Sequence, residues 1–367
     1  MKKNLLILID TLKPMVDGVS TFLDGTMSYL SEKYRVTVIA PDYGETSYSD
    51  INLIQFPIFK YKLTAYGFPK INRKIIKREV KTADFILNHE SILPLSTSFY
   101  ALNYAKKYKK PFFTYIHTLD WELPTEIIRM PNFVRKFGRF LFKIYGKWFL
   151  NNCTVILVSF PTIEKILREN RVQGRFERVP IGISDIFEPG KSTSSFNDKT
   201  VIGYVGRVSR EKGLEKLYKA FLTLDSKFDN LFLLIVGDGL DKDIFKGDRN
   251  IKITGFVSHE EVAEYLKAID IFVLPSVTEA NSLSTLEAMK AGVCCVTRDV
   301  GAIKDYLKHG HSGYLFDKEE ELVDILEKLI INEKLRKEMG RNARESVLKY
   351  TWENTSDLII KVIENNS

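Results

Sequence analysis

Two glutamates eight positions apart, Glu279 and Glu287, stand in the stretch PSVTEANSLSTLEAMKAG, from Pro275 to Gly292. Carboxylates accept hydrogen bonds from hydroxyl groups, as sugars and ribose require. Just before them, Ile271 to Leu274 is an apolar run that reads as a buried strand. After Glu279, Leu283, Leu286 and Met289 recur at helical spacing. The order is therefore strand, polar turn, helix, with Glu279 in the turn and Glu287 about a turn and a half into the helix. Such a turn offers backbone N–H groups and a helix N-terminus at a sheet edge, where phosphate is readily bound. The same pair also reads as two solvated carboxylates on a helix face, and spacing alone does not choose between these.

A second constellation lies upstream, in GYVGRVSREKGLEKLYKAF from Gly203. Gly206 closes a strand and permits close backbone approach. Arg207 and Lys212 flank a turn into a helix that begins near Gly213. Two fixed cations beside a helix N-terminus suit a diphosphate, because arginine grips phosphate oxygens bidentately and lysine adds a point charge. Exposed, solvated side chains are the competing reading. Other strand-to-turn pieces are VGDGL (Val236 to Leu240), Gly255-Phe256-Val257, Asp17-Gly18-Val19 and Tyr115-Ile116-His117-Thr118. A single histidine is more often structural, yet His117 falls where strand ends line a cleft. Asp241-Lys242-Asp243 resembles a metal-binding pattern and reads better as a solvated helix start.

These pieces need a scaffold of strands and helices in alternation. Strand-like runs are Leu5 to Ile9, Val36 to Ile39, Leu53 to Phe56, Phe85 to Leu87, Phe112 to Ile116 and Val155 to Val158. A second series is Val201 to Val205, Leu231 to Val236, Ile251 to Ile253, Ile271 to Leu274 and Cys294 to Thr297. Amphipathic segments lie between them, including Ser20 to Lys33, Leu214 to Leu224 and Ser258 to Ala268. The last opens with a capping box, Ser258 to Glu261. This alternation predicts parallel sheets with helices on both faces. The Pro, Gly and Ser content of Glu188 to Lys199 marks a linker between two such domains.

With 367 residues, 44% hydrophobic and 28% charged, the chain has the composition of a globular protein with room for two cores. Cys153, Cys294 and Cys295 form no disulfide framework, which points to a reducing compartment. Leu5 to Ile9 is too short for a signal-peptide core before Asp10 interrupts it, and no run reaches the ~18 apolar residues of a membrane span. The expectation is a cytoplasmic protein whose membrane contact is at most peripheral. Residues 1–180 carry 28 Lys+Arg against 16 Asp+Glu, whereas the remainder carries 26 against 31. The basic half calls for an anionic partner or is simply a soluble basic surface. No nucleic-acid module accompanies it, so nucleic acid is not an expected partner.

In chain order, DGVSTFLDG, YIHTLD, VPIGISDIF, GRVSREKG, VGDG, GFVSHEEV, the E-x7-E pair and YTWE at Trp352 resemble the retaining glycosyltransferases of family GT4, over nearly the whole chain. The resemblance implies the α/β GT-B fold, with two Rossmann-like, doubly wound parallel-sheet domains facing a central cleft. Residues 1–187 would form the acceptor side and 188–350 the nucleotide-sugar donor domain, with a terminal helix in 351–367 returning to the first domain. The resemblance also implies roles. Arg207 and Lys212 would hold the donor diphosphate, approached by Gly18 and Gly206. Glu287 would take the ribose hydroxyls and Glu279 those of the donor sugar. Asn281, Ser282 and Leu283 would offer backbone N–H groups, and Phe256 and Val257 would lie near the base. His117 would lie beside the anomeric carbon, completing a catalytic set of His117, Glu279, Arg207 and Lys212. No metal or cofactor is expected, since fixed cations and helix N–H groups can stabilise a departing nucleoside diphosphate. Family frequency favours a UDP-sugar, and GDP-mannose fits the same residues. Asn281-Ser282 stands where the family commonly has an aromatic-glycine pair, which leaves the sugar open. Asp17 stands at a common glycine and Cys294 at a common proline.

The acceptor is addressed by PNFVRKFGRFLFKIYGKWFL, from Pro131. Phe133, Phe137, Phe140, Leu141, Ile144, Tyr145, Trp148 and Phe149 follow a helical period, while Arg135 or Lys136, Arg139, Lys143 and Lys147 run along another face. A helix lying on an anionic bilayer and a helix packed on a sheet with a solvated basic face both fit that pattern. Phe59 to Arg78 repeats the basic-aromatic theme. His117-Thr118 followed by Trp121 resembles family members that glycosylate diacylglycerol, which raises a membrane lipid over other glycan acceptors. A transferase building a soluble or surface glycan and a nucleotide-sugar epimerase are the alternatives. A dinucleotide oxidoreductase is excluded, because no G-x-G-x-x-G follows the first strand.

Overall fold

The computed structural model describes residues 2–366 apart from 16, 47, 49–50, 61–66, 119–131, 191, 193–195, 197–198 and 246–248, with the backbone alone at 60, 67–68 and 132–135. The chain forms two compact units, Met1–Gly182 with Trp352–Ser367, and Ile183–Thr351.

The first unit's strands are β1 (Asn4–Leu8), β2 (Arg35–Pro41), β3 (Asn52–Phe56), β4 (Ile58–Lys60), β5 (Gly67–Pro69), β6 (Phe85–Asn88), β7 (Phe112–Ile116), β8 (Val155–Val158) and β9 (Phe176–Arg178). Among the described residues, seven of them make one sheet in the order β3-β2-β1-β6-β7-β8-β9. Every pairing in it is parallel. β4 and β5 form a separate antiparallel pair. The second unit follows with β10 (Thr200–Val205), β11 (Leu231–Val236), β12 (Ile251–Ile253), β13 (Ile271–Leu274), β14 (Cys294–Arg298) and β15 (Gly313–Phe316). Its sheet, also parallel throughout, runs β12-β11-β10-β13-β14-β15.

Both sheets are therefore doubly wound, and each reverses strand order beside its first strand, between β1 and β6 and between β10 and β13. The carboxyl ends flanking such a reversal are where open α/β sheets bind ligands. Strands covered on both faces must be apolar along their length, and β6, β8, β10 and β13 are buried at every position. Helix starts follow local chemistry. Asp17 caps the helix Gly18–Lys33 by accepting the N–H groups of Val19 and Ser20. The expected capping box of Ser258 and Glu261 opens the helix His259–Ala268.

Composition placed a linker at Glu188 to Lys199 and a boundary at 187/188, whereas the units part between Gly182 and Ile183. The reason is where the chain is anchored. Ile183 donates its N–H to Tyr350 O at 2.9 Å, and Glu188 pairs with Lys290 at 3.3 Å and with Arg344. Trp352 opens the terminal helix Trp352–Glu364 and lies so close to Gly25 and Gly182 that a Cβ at either would fall 2.2 Å or 2.5 Å from its indole. Cys153, Cys294 and Cys295 are buried free thiols, and burial pushes the Cys294 thiol up to about 12. Among the described residues, no helix is long and apolar enough to cross a membrane.

Candidate active site

β10 and β13 lie side by side, with Ile202 opposite Ile271, so the loops that leave them meet. At the end of β10 the Gly206 N–H donates to Val236 O at 2.9 Å, and the Tyr204 hydroxyl donates to Arg207 O at 2.8 Å. One tight turn, Arg210–Lys212, leads to Gly213. That residue has φ +65°, and a Cβ on it would lie 2.4 Å from Pro275 O, in the loop after β13. Across the same contact the Val277 N–H donates to Glu211 O at 2.8 Å. The loops thereby bring Lys212 Nζ to 2.6 Å from Glu279 Oε1, with the two side chains only 20% and 9% exposed. Partial shielding from water strengthens their attraction and fixes both groups. Arg207 stands exposed in the same loop. The helix Leu214–Asp225 that follows has no side-chain cap; in its first turn the Lys216 N–H donates to Gly213 O at 3.0 Å.

The turn after Glu279 leads into the helix Leu283–Lys290, capped by Ser282 Oγ, which accepts from Thr285 N at 3.2 Å and from the Thr285 hydroxyl at 2.8 Å. Glu287 is buried on this helix, and its Oε1 lies 2.8 Å from His259 Nε2. His259 in turn packs edge-on against Phe187. Phe256 is exposed and Val257 partly so, just ahead of His259; Asn281 is partly buried. Asp241-Lys242-Asp243 does open a short turn, in which Lys242 pairs with Asp238 at 3.0 Å.

In the first unit, β6 and β7 are each followed directly by a histidine. His89 Nδ1 lies 2.8 Å from His117 Nε2. Phe22 packs on both rings, at 5.1 Å and 5.0 Å, and on Tyr115 and Trp352. Burial pushes His89 down to about 3. Burial, and then His89, also hold His117 well below the usual histidine range. Both imidazoles are thus neutral near pH 7. Glu90, next in the chain, accepts the Ser98 N–H at 2.6 Å, and burial with the charge of Asp10 raises its carboxyl. Gly18 is the first residue of its helix, and a Cβ there would meet nothing within 4 Å.

Residues 16–185 match the family Glycosyltransferase Family 4, and residues 187–346 match Glycosyl transferases group 1. The chain belongs to the GT4-type glycosyltransferases. Among its relatives is the alpha-monoglucosyldiacylglycerol synthase of Acholeplasma laidlawii, 25% identical with 96% of each chain covered. The capsular polysaccharide biosynthesis glycosyltransferase CapM of Staphylococcus aureus is 30% identical over 41% of this chain and 42% of its own. The fold is that of the sucrose-phosphate synthase of Thermosynechococcus elongatus, with TM-score 0.79 at 18% identity and 99% of each chain covered. Anabaena HepE in complex with UDP and glucose gives TM-score 0.75 at 15% identity, covering 99% of this chain and all of that one. The architecture is GT-B.

This glycosyltransferase also carries the helix Asn132–Asn151. Phe149 and Leu150 are buried, but Phe137, Phe140, Leu141 and Ile144 are 62%, 58%, 48% and 53% exposed. Those four therefore pack on no core, and the reading of this segment as a helix packed on a sheet holds only for its last turn. Trp148 packs on Phe99 with its centroid 6.0 Å away and lies beneath Lys106. Lys136 and Lys143 are exposed, Arg139 and Lys147 partly so, and Lys143 reaches Asn170 at 3.1 Å. The Arg135 side chain, Trp121 and residues 61–66 of the basic-aromatic stretch lie outside the described residues.

Two neighbours of the expected residues escaped the sequence reading. His259 lies 28 positions from Glu287, a tertiary pairing that no local pattern encodes. His89 did leave a signal, since it and His117 each follow one of two strand-like runs that parallel topology makes neighbours.

Proposed function

We propose that this glycosyltransferase moves a hexosyl group from a nucleotide-diphosphate sugar, by preference a UDP-sugar, to a membrane lipid or lipid-linked acceptor, with retention of anomeric configuration. The observation that carries the donor half is the Lys212–Glu279 pair at the strand-order reversal of the second sheet, 2.6 Å apart. Lys212 and Arg207 take the diphosphate, with backbone N–H groups of Asn281, Ser282 and Leu283 and the close approach of Gly206. Glu279 takes hydroxyls of the sugar. Glu287, with one oxygen engaged by His259, offers the other to the ribose. Phe256 and Val257 border the base, and His117 serves the transferred sugar. Charge developing on the departing diphosphate is met by fixed cations and dipoles, which need no metal.

The lipid half rests on the exposed apolar face of the helix Asn132–Asn151, flanked by Lys136, Arg139, Lys143 and Lys147. Apolar side chains entering the headgroup boundary and lysines pairing with anionic lipid are the chemistry of an interfacial helix. The full-length similarity to a diacylglycerol glycosyltransferase supports the same reading.

Thermal stabilisation by a panel of nucleotide sugars, without metal and with magnesium, tests the donor half. A ligand at a hundred times its Kd adds about 2.7 kcal/mol. A shift with one diphosphate sugar in the metal-free arm is expected, and no shift with any of them overturns the reading. Transfer to diacylglycerol in anionic vesicles tests the acceptor. Transfer only to a soluble glycan, with vesicles ignored, would return the enzyme to glycan synthesis.

A further inference from the structure

We infer that His89 is a positioning residue that holds the His117 imidazole in the tautomer protonated on Nδ1, so that His117 meets its substrate as a hydrogen-bond donor and not as a proton acceptor. The substrate contact rests on the proposed function; the tautomer does not.

The 2.8 Å contact between His89 Nδ1 and His117 Nε2 needs one donor and one acceptor. Two neutral imidazoles carry one N–H each. If His117 Nε2–H donates, then His89 Nδ1 is bare and the His89 proton sits on Nε2. That atom is fully buried and has no hydrogen-bond partner, so this arrangement buries an orphaned N–H. If His89 Nδ1–H donates, the buried unpartnered atom is only a bare lone pair. Orphaned buried N–H groups are rarer in folded proteins than under-satisfied acceptors. The second arrangement therefore prevails, and it leaves the His117 proton on Nδ1.

The surroundings hold the pair in place. Tyr115 stacks on His89 with an interplanar angle of 26°, and Phe22 meets His117 at 83°. The Tyr115 hydroxyl donates its proton to Val179 O at 2.7 Å and has none left to give to either ring. A neutral imidazole placed as an electrophile is an established way to bind oxygen without donating a full charge. Here it would donate to an oxygen of the transferred sugar.

The decisive experiment is long-range 1H–15N correlation on 15N-histidine-labelled full-length protein near pH 7. The chain has only 5 histidines, and the spectra of His89→Asn and His117→Gln assign the two signals. Protonated Nδ1 and bare Nε2 on both residues is the expected result. A proton on His117 Nε2, or imidazolium at either site, overturns the inference whether or not transfer is ever detected. With a donor and acceptor in hand, His89→Leu should lower kcat by about ten- to a hundredfold at nearly constant donor KM. His89→Asn, which keeps an N–H near the Nδ1 position, should restore much of that loss. Equal kcat in wild type and in a folded His89→Leu would also overturn it.

Discussion

The two units share a winding but not a chemistry. Beside the strand-order reversal of the second sheet stand paired polar groups, Lys212 with Glu279 and His259 with Glu287. Beside that of the first sheet stand two neutral imidazoles in an aromatic setting of Phe22, Tyr115 and Trp352. One end is equipped for charge, the other for orientation without charge. The difference teaches that a doubly wound sheet fixes where a ligand can lie, while the loops alone fix what it can be.

The largest effect should come from the charged end. Lys212→Ala or Glu287→Ala is expected to cost about a hundred- to a thousandfold in kcat/KM, the range for removing a preorganised group at developing charge. Near-wild-type turnover in either folded variant would remove the second unit's claim to the chemistry. Next is the surface of the first unit. Each basic side chain near an anionic membrane contributes about 1 kcal/mol, so Arg139→Glu with Lys143→Glu should weaken vesicle binding at least about thirtyfold. Donor hydrolysis should be spared, and flotation with anionic vesicles reads the result. Unchanged flotation would make both units equally indifferent to membranes.

Gly213→Ala probes the join between the two charged loops. A Cβ at a left-handed residue against a carbonyl oxygen should destabilise by about 1–3 kcal/mol and weaken donor binding, as melting with and without UDP-sugar would show. The smallest effect belongs to the uncharged end. The folded protein resists protonation of His89 down to about 3, whereas an unfolded histidine takes its proton near 6.5. This contribution to stability is complete above about pH 6.5 and is lost as pH falls toward 3, at up to about 1.4 kcal/mol per pH unit. His89→Leu should therefore show a shallower loss of thermal stability between pH 6.5 and 5. An equal slope would assign the acid sensitivity elsewhere.

The same contrast explains what was legible in the sequence. Each strand-like run proposed there became a strand, because buried parallel strands need unbroken apolar runs. Of the strands in the two parallel sheets, β9 and β15 were not proposed, since Phe176-Glu177-Arg178 is short and largely polar and β15 begins with a glycine. Both lie at sheet edges, where one neighbour is missing and the apolar demand relaxes. In the site, Lys212 and Glu279 were nameable because each sits in a loop with its own local signature. That Glu287 is buried rather than solvated was not legible, because its partner comes from another helix. His89 was legible in principle, since it and His117 follow neighbouring strand-like runs, whereas the exposure of Phe137 and Phe140 was not, because their helical period is identical whether the face meets a core or a lipid.

The indole of Trp352 fills the space left by Gly25 and Gly182 and touches Phe22. Domains generally fold as units while the chain is still being made, from the N-terminus onward. Here the first unit borrows its last packing element from beyond the whole of the second. On the ribosome, a nascent chain that has just completed Gly182 still lacks the wedge beneath its own aromatic cluster. It must wait for a further 169 residues, Ile183 to Thr351, to emerge before the side chains around His117 can close. The second unit can mature first, although it is translated second.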